Sequence, residues 1–327
     1  RQRGDSIMMK TCVRLAAVAA FAILSLAPAY GQATRTWVSG VGDDVNPCSR
    51  TAPCKTFAGA ISKTAAGGEI NCLDPGGFGA VTITKSITID CTGTFGSVLN
   101  SGGINGIVIN DSASATPRTA QVRLRGLSIN GAGTTPGLNG IRFISGASLV
   151  IEDVFIQNQR GGNGISIAPS AGAIFVSISN SSVNTSGSAT GSGIEVRPTG
   201  TGAATVSLRN VRITNNVNFG LRVDSTATTG SGVTLSMETS ETSGALQGIS
   251  VAAGAGPATT SILMVNDVAI FNNSNSGILA NGGGATVRVA NSRITGSGIG
   301  VNRQAGAFIS DLGGNLLANN TTNGTFN

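Results

Sequence analysis

A segment of alternating apolar residues, interrupted by a single bend position, recurs seven times along this chain of 327 residues. Each copy has one alternating apolar stretch before the bend and one after it. The copies begin at Val122, Leu149, Val176, Val206, Val233, Leu263 and Val287. Their bend positions recur about every 27.5 residues and hold Gly126, Asp153, Asn180, Asn210, Met237, Asp267 and Asn291. A repeat of this length predicts a stacked solenoid, which constrains the fold more than any other feature of the chain does.

The alternation predicts two short strands that meet at a one-residue corner and share one apolar, inward-facing side. Gly, Asn or Asp stands at six of the seven bends, and these residues tolerate a left-handed backbone best. A third strand follows in each repeat and is opened by a glycine: Gly106, Gly140, Gly164, Gly193, Gly220, Gly248, Gly277 and Gly298. Because no repeat can bury its apolar side alone, we expect the coils to stack in parallel.

From about residue 34 to the C-terminus, this arrangement resembles the right-handed parallel β-helix, which is the pectin-lyase-like fold. The segments Thr36-Trp37-Val38 and Gly68-Glu69-Ile70 resemble the N-terminal part of secreted β-helix proteins. The resemblance implies an all-β protein, a right-handed parallel β-helix of about 8–10 coils. Proteins of this fold include lyases, hydrolases, adhesins and phage tailspikes, so the fold does not specify an activity.

The N-terminal 33 residues have the pattern of a secretory signal peptide behind a short upstream extension. Lys10 and Arg14 precede an apolar run over 15–27, which is too short for a membrane-spanning helix. An N-terminal membrane anchor is the alternative. We expect a protein without a membrane span after cleavage, secreted to the extracellular space or periplasm.

Three regions follow from these boundaries: 1–33 is the extension and signal peptide, 34–66 the N-terminal segment, and 67–327 the β-helix. The middle region has an N-terminal strand, a cysteine loop and a helix. Phe57, Ala60 and Ile61 recur at helical spacing, which predicts a short helix from Thr56 to about Lys63. A helix at this place would cap the open strand edges of the first coil.

Four of the five cysteines remain after cleavage, since Cys12 lies in the signal peptide. An even number in an exported protein indicates disulfides, and four cysteines allow three pairings. Cys48 and Cys54 close a tight loop, and we favour this pair. In the β-helix, Cys72 and Cys91 align on adjacent strands roughly 4.8 Å apart, which favours the second pair. A zinc site of four thiolates is the alternative, but the spacing lacks paired C-x-x-C motifs.

No catalytic residue can be assigned from the sequence. The chain has no His, which excludes Ser-His-Asp triads, Cys-His dyads and His metal sites. The resemblance implies clustered aspartates with an arginine base for pectate-lyase-like enzymes, and three aspartates with a His-bearing motif for polygalacturonase-like ones. Neither set occurs, so we expect no cofactor and no metal site.

Outward positions give the binding candidates. Arg209, Arg212 and Arg222 fall in one repeat and are the candidate anion-binding residues, although they lie on different sides of the coil. Stacked coils would place Arg125 beside Glu152 and Glu195 beside Arg222, as ion pairs each contributing under ~1 kcal/mol when exposed. The remaining outward columns are rich in Ser and Thr, which indicates a flat, hydrated wall.

The formal charge of +6 falls to +3 when residues 1–33 are removed, with 17 basic and 14 acidic groups remaining. These groups form no basic patch, so we expect no nucleic acid partner. The sequence favours a secreted, non-catalytic β-helix, a scaffold or surface protein with an extracellular polysaccharide as the expected partner. The alternative is a polysaccharide lyase or glycoside hydrolase of this fold, with a site built by loops at 110–120 or 184–192.

Overall fold

The fold is that of a computed structural model, which describes residues 31–254 and 259–327. The predicted signal peptide, apart from its last residues, and Cys12 lie outside the described residues. Ala33–Asn327 forms one compact unit with a helix, α1 (Phe57–Lys63). In chain order the strands are β1 (Ala33–Val38), β2 (Thr64–Cys72), β3 (Gly76–Gly77), β4 (Val81–Ile83), β5 (Ile87–Asp90), β6 (Gly96–Leu99), β7 (Ile107–Asn110), β8 (Gln121–Arg125), β9 (Leu127–Asn130), β10 (Asn139–Ser145), β11 (Ser148–Glu152), β12 (Phe155–Gln157), β13 (Asn163–Ile167), β14 (Ala173–Asn184), β15 (Ser192–Val196), β16 (Ala203–Thr214), β17 (Phe219–Asp224), β18 (Gly232–Ser243), β19 (Gln247–Ala252), β20 (Thr260–Phe271), β21 (Ser276–Asn281), β22 (Ala285–Ala290), β23 (Arg293–Thr295), β24 (Ile299–Gln304), β25 (Phe308–Asp311) and β26 (Leu316–Ala318).

Two parallel sheets form the solenoid. Within the described residues, the nine-stranded sheet contains β4, β7, β10, β13, β15, β17, β19, β21 and β24, and the seventeen-stranded sheet contains the other strands. Each strand pairs with strands of the neighbouring coils, as in β14 with β16 and β16 with β18. The chain therefore makes about nine coils, and the predicted parallel β-helix is confirmed.

The core is a set of aliphatic columns that run through the stack. Val122, Leu149 and Val176 are in register on β8, β11 and β14, and Val206, Leu235 and Leu263 continue the column. All are buried. Each such side chain contributes about 1.5–3 kcal/mol when it is removed from water, so the alternation in the sequence supplies the main stabilisation of every coil.

The bends in the seventeen-stranded sheet have the predicted left-handed backbone. Their φ angles lie between 46° and 64° at Gly126, Asp153, Asn180, Asn210, Thr239, Asp267 and Asn291. The prediction was wrong at Met237, which is fully buried and aligns with Leu208 and Val265 in the core. The bend of that coil lies two residues later, at Thr239.

The glycines of the nine-stranded sheet are required by close packing of backbone against backbone. A Cβ at Gly106, Gly140, Gly164, Gly193, Gly220, Gly248 or Gly277 would stand 2.6–2.8 Å from the carbonyl oxygen of the corresponding glycine in the next coil. Here too the prediction was wrong at one position, since Val301 pairs with Ile278. Gly300, and not Gly298, therefore occupies the glycine position of the last coil.

The predicted helix is present as α1. The Thr56 hydroxyl accepts a hydrogen bond from the Gly59 amide and forms the N-cap, a stabilising arrangement. Phe57 and Ala60 are buried, and the Phe57 ring lies 5.3 Å from that of Phe78. The helix thus packs into the core, while its role as a cap stays a prediction.

Two disulfides, Cys48–Cys54 and Cys72–Cys91, join the predicted pairs. The Cα atoms of Cys72 and Cys91 are 4.8 Å apart, which agrees with the spacing of adjacent strands. Among the described residues, no helix has the length and apolar character needed to cross a membrane.

Candidate functional site

A long groove runs across the coils on the outer face of the seventeen-stranded sheet. It consists of two cavities of about 550 and 280 Å³ that share Ser148 and Val150. We call it the arginine-flanked groove; it is lined by Gly67, Ser86, Ile87, Thr88, Gln121, Val122, Arg123, Ser148, Leu149, Val150, Phe175, Val176, Ser177, Thr205, Val206, Ser207, Thr234, Leu235, Ser236, Ile262, Met264 and Arg288.

The floor of this groove combines hydroxyl groups with apolar surface. Ser177, Ser207 and Ser236 are in register on β14, β16 and β18, as are Thr205 and Thr234. Within the described chain these hydroxyls form no hydrogen bonds with protein groups. Beside them lies Phe175, whose side chain is 62% exposed. The groove thus offers unpaired hydroxyls and an aromatic face to a ligand.

The only charged side chains that line the described groove are two arginines. Arg123 and Arg288 belong to one outward column, six coil steps or roughly 29 Å apart. Among the described residues, neither guanidinium forms an ion pair. The groove therefore carries two uncompensated positive charges, which favour an anionic ligand.

A second depression, the corner cavity, lies where the same sheet bends. It has a volume of about 510 Å³ and is lined by Asn210, Val211, Arg212, Thr239, Ser240, Glu241, Asp267, Val268, Ala269, Asn291, Arg293 and Gly314. Arg212 Nε lies 3.1 Å from Glu241 Oε1. The lining holds two arginines and two carboxylates, so its charge is balanced. Thr239 is the one β-branched residue among the seven bends, and its left-handed backbone costs about 1–2 kcal/mol.

The nine-stranded sheet carries a charged cluster on its outer face, the Glu195–Arg222 network. Arg222 lies between two carboxylates, with Nη1 3.4 Å from Glu195 Oε1 and Nη2 2.7 Å from Asp224 Oδ2. Arg197 Nε adds a contact of 3.3 Å to Asp224 Oδ2. Asn163 donates to Glu195 at 3.2 Å. The network thus joins two acids to two arginines.

The two carboxylates of the network have opposite pKa shifts. Burial raises the pKa of Glu195 above its ordinary value, and the charges of Arg222 and Arg197 offset this only in part. Burial also opposes ionisation of Asp224, but hydrogen bonds from Thr226 together with both arginines outweigh it and lower the pKa. Asp224 is therefore held as an anion, while Glu195 is the acid that is easier to protonate.

The three predicted anion-binding arginines do not form one site. Arg209 and Arg212 lie on the outer face of β16, whereas Arg222 lies on β17 in the other sheet. Arg212 is paired with Glu241, and Arg222 with Glu195 and Asp224. No ion pair to Arg209 occurs in the described part of the chain. Their role in binding an anion stays a prediction.

Both ion pairs expected from the stacking are present. Arg125 Nε lies 3.0 Å from Glu152 Oε2, and the Arg222–Glu195 contact is part of the network. Sequence reasoning missed Asp224 and Glu241 as further partners. Glu241 was missed because placing the bend at Met237 put Thr239 in the column that Glu241 occupies. With the bend at Thr239, the strand register would have placed Arg212 beside Glu241.

The loops expected to build a catalytic site, 110–120 and 184–192, line neither the arginine-flanked groove nor the corner cavity. In the first loop, Asp111 accepts hydrogen bonds from the Ser145 hydroxyl and from the amides of Arg118, Thr119 and Ala120. Burial opposes ionisation of Asp111, but these hydrogen bonds prevail and lower its pKa. The residue is thus an anchor for its own loop. In the described residues, no three potential ligands converge as a metal site.

Comparison with known proteins gives likeness in structure but not in sequence. No family model and no curated protein match the chain. Pectate lyase Pel9A superposes with a TM-score of 0.61 at 15% identity, covering 85% of this chain and 74% of its own. The A-module of the mannuronan C-5 epimerase AlgE6 of Azotobacter vinelandii gives 0.45 at 12% identity, with 77% and 88% covered. A rhamnogalacturonan lyase gives 0.34 at 10%, with 83% and 72% covered. The superposition on the pectate lyase, together with the coils described above, shows that the chain has the pectin-lyase-like parallel β-helix fold.

Proposed function

We propose that this protein is secreted and binds an acidic polysaccharide along the arginine-flanked groove, without turning it over. The observation that carries the proposal is the pair of uncompensated arginines, Arg123 and Arg288, in a groove with no carboxylate among its described lining residues. A groove of this length suits an extended chain with repeated negative charges better than a compact ligand.

Each component of the groove matches one part of a sugar polymer. Guanidinium groups bind carboxylates in a bidentate manner. The exposed ring of Phe175 offers an apolar face for packing against a sugar ring. The unpaired hydroxyls of Ser177, Ser207 and Ser236 can exchange hydrogen bonds with sugar hydroxyls. A protein of the same fold that is named a pectate lyase supports a polysaccharide ligand.

Two further observations support export. Disulfides persist in oxidising compartments, and this chain has two. The predicted signal peptide agrees with this, although its cleavage is a separate expectation. N-terminal sequencing of the mature protein after expression in a secreting host would locate the cleavage site.

The binding experiment uses one polymer in two charge states, polygalacturonate and its fully methyl-esterified form. We expect the wild-type protein to bind the acidic form, and the affinity to fall with added salt because exposed charges are screened. Arg123→Ala with Arg288→Ala should weaken binding about 10-fold. Arg160→Ala, an exposed arginine outside the groove, is the matched control. Equal binding of both polymers, or unchanged binding by the double variant, would refute the proposal.

A second candidate function, cleavage of a polysaccharide, rests on the Glu195–Arg222 network. Two carboxylates with pKa values shifted in opposite directions can serve as acid and base of one reaction. A turnover assay on acidic and neutral polysaccharides, with and without calcium, separates the candidates. Product release that Glu195→Gln abolishes would establish catalysis and refute a purely binding role.

A further inference from the structure

Thr239 departs from the pattern of its own column. The other bend residues are Gly, Asn or Asp, which tolerate the left-handed backbone at low cost, whereas Thr239 has φ 46° and a β-branched side chain. Strained residues of this kind persist where the surroundings enforce them, and they are concentrated at binding sites. The position of Thr239 therefore identifies a part of the surface to search for a ligand.

Thr239 lines the corner cavity of about 510 Å³ together with two other bend residues, Asn210 and Asn291. The Asn210 amide donates to Asn180 Oδ1 at 2.9 Å, and the Asn291 amide donates to Asn266 Oδ1 at 3.0 Å. These bonds hold the two amides in place, one coil before Thr239 and two coils after it. The Thr239 hydroxyl itself forms no hydrogen bond with the described chain, so it is available to a ligand.

The charges of the cavity define what that ligand can be. Arg212 is neutralised by Glu241 at 3.1 Å. Asp267 and Arg293 form no ion pair with any described residue, and their charges are opposite. The lining thus offers a carboxylate acceptor, a guanidinium donor, a hydroxyl and two Asn side chains, with no net charge, and this set matches the donor-and-acceptor hydroxyls of an uncharged sugar. It does not match an anion or a cation.

We propose that the corner cavity binds a neutral sugar unit, with Thr239, Asp267 and Arg293 as its contact residues. This site is separate from the arginine-flanked groove and differs from it in ligand charge. The proposal is independent of the proposed function, because it requires neither the two flanking arginines nor an acidic polymer.

The test compares two substitutions that relieve the same kind of backbone strain at two positions, one inside the corner cavity and one outside it. Thr185 is also β-branched and left-handed, with φ 48°, and it lies outside the corner cavity. Relief of strain raises the midpoint of thermal unfolding, and the entropy that glycine adds to the unfolded chain lowers it. Both Thr239→Gly and Thr185→Gly should therefore raise the midpoint or leave it within about 2 °C. Calorimetric titration with a panel of neutral hexasaccharides measures binding.

We expect at least one neutral hexasaccharide to bind the wild-type protein at millimolar concentration. Thr239→Gly and Arg293→Ala should each weaken that binding about 5-fold or more, while Thr185→Gly leaves it within 2-fold. Arg123→Ala with Arg288→Ala should also leave it unchanged, which separates this site from the groove. The proposal is overturned if no neutral sugar binds, or if Thr239→Gly binds as tightly as the wild-type protein.

Discussion

Two charged regions of this β-helix, one on each sheet, treat their outward charges in opposite ways. On the nine-stranded sheet, Glu195 and Asp224 are both bound by Arg222, and Asp224 is only 3% exposed. In the arginine-flanked groove of the seventeen-stranded sheet, Arg123 and Arg288 contact no carboxylate of the described chain. The Glu195–Arg222 network thus satisfies its charges internally, which stabilises the coils that it joins. The arginine-flanked groove leaves charges and hydroxyls unpaired, which suits it to a ligand, although other arginines of the same sheet, such as Arg125 and Arg212, are paired.

The largest effect should come from the glycines of the nine-stranded sheet. A Cβ on Gly164 would lie 2.6 Å from the Gly193 carbonyl oxygen and would overlap Val183. We expect Gly164→Ala to lower the free energy of unfolding by about 3 kcal/mol, since neither neighbour can move without breaking the coil. Denaturant unfolding checks this against Gly283→Ala, whose added Cβ would meet nothing within 4 Å. Equal stability of the two variants would contradict the close packing.

The next effect concerns the charges of the same sheet. Asp224→Ala leaves Arg222 and Arg197 without their shared acceptor, and we expect a loss of about 2 kcal/mol at pH 7. Glu238→Ala is the control, because Glu238 is exposed and forms no ion pair in the described chain. Since the folded pKa of Asp224 is lowered from 3.8, the advantage of the wild-type protein should disappear as the pH falls below that value. A loss of stability as large for Glu238→Ala would show that the network contributes no more than an exposed, unpaired charge.

On the seventeen-stranded sheet, substitution should affect binding and not stability. Phe175→Ala should weaken acidic polysaccharide binding about 5-fold. Its free energy of unfolding should change by less than about 0.5 kcal/mol, because the ring is largely exposed. Phe308→Ala is the control, since Phe308 belongs to the same outward column but does not line the groove. If Phe175→Ala lowers the free energy of unfolding but leaves polysaccharide affinity unchanged, the ring stabilises the fold and does not contact the ligand.

The smallest effect is a change in pH dependence at Glu195. Because burial raises its folded pKa above the ordinary value of 4.5, the folded state prefers the protonated form. The stability of the wild-type protein relative to Glu195→Gln should therefore fall as the pH rises above 4.5. Unfolding in denaturant at several pH values measures the difference. If this relative stability rises over the same pH range, the charge of Arg222 lowers the pKa of Glu195 by more than burial raises it.

The regular part of the fold could be predicted because each coil repeats the same physical requirements. Alternating residues such as Val206 and Leu208 fixed which side faces inward, and left-handed residues such as Asn210 marked the corners. The same register predicted the contacts of Arg125 with Glu152 and of Arg222 with Glu195. These features require only that equivalent residues of neighbouring coils are in register.

Both wrong positions were displacements by two residues, which alternation cannot detect. A shift by one residue exchanges the faces of a strand, whereas a shift by two preserves them. Met237 and Thr239 therefore fit the alternation equally well, and Met237 followed from starting the copy at Val233, whereas Leu235 is the residue that pairs with Val206. Gly298 and Gly300 were ambiguous for the same reason. The cavities were not predicted, since each is lined by residues from several coils and not by a single repeat.

The most direct test of the account is an arginine-selective labelling experiment read out by mass spectrometry. The protein is modified with a dicarbonyl reagent in the absence and presence of polygalacturonate. If the seventeen-stranded sheet holds the ligand, Arg123 and Arg288 should be protected by the polymer, while Arg160 reacts at the same rate in both samples. Protection of Arg197 and Arg222 without protection of Arg123 and Arg288 would place the ligand on the nine-stranded sheet and contradict the account.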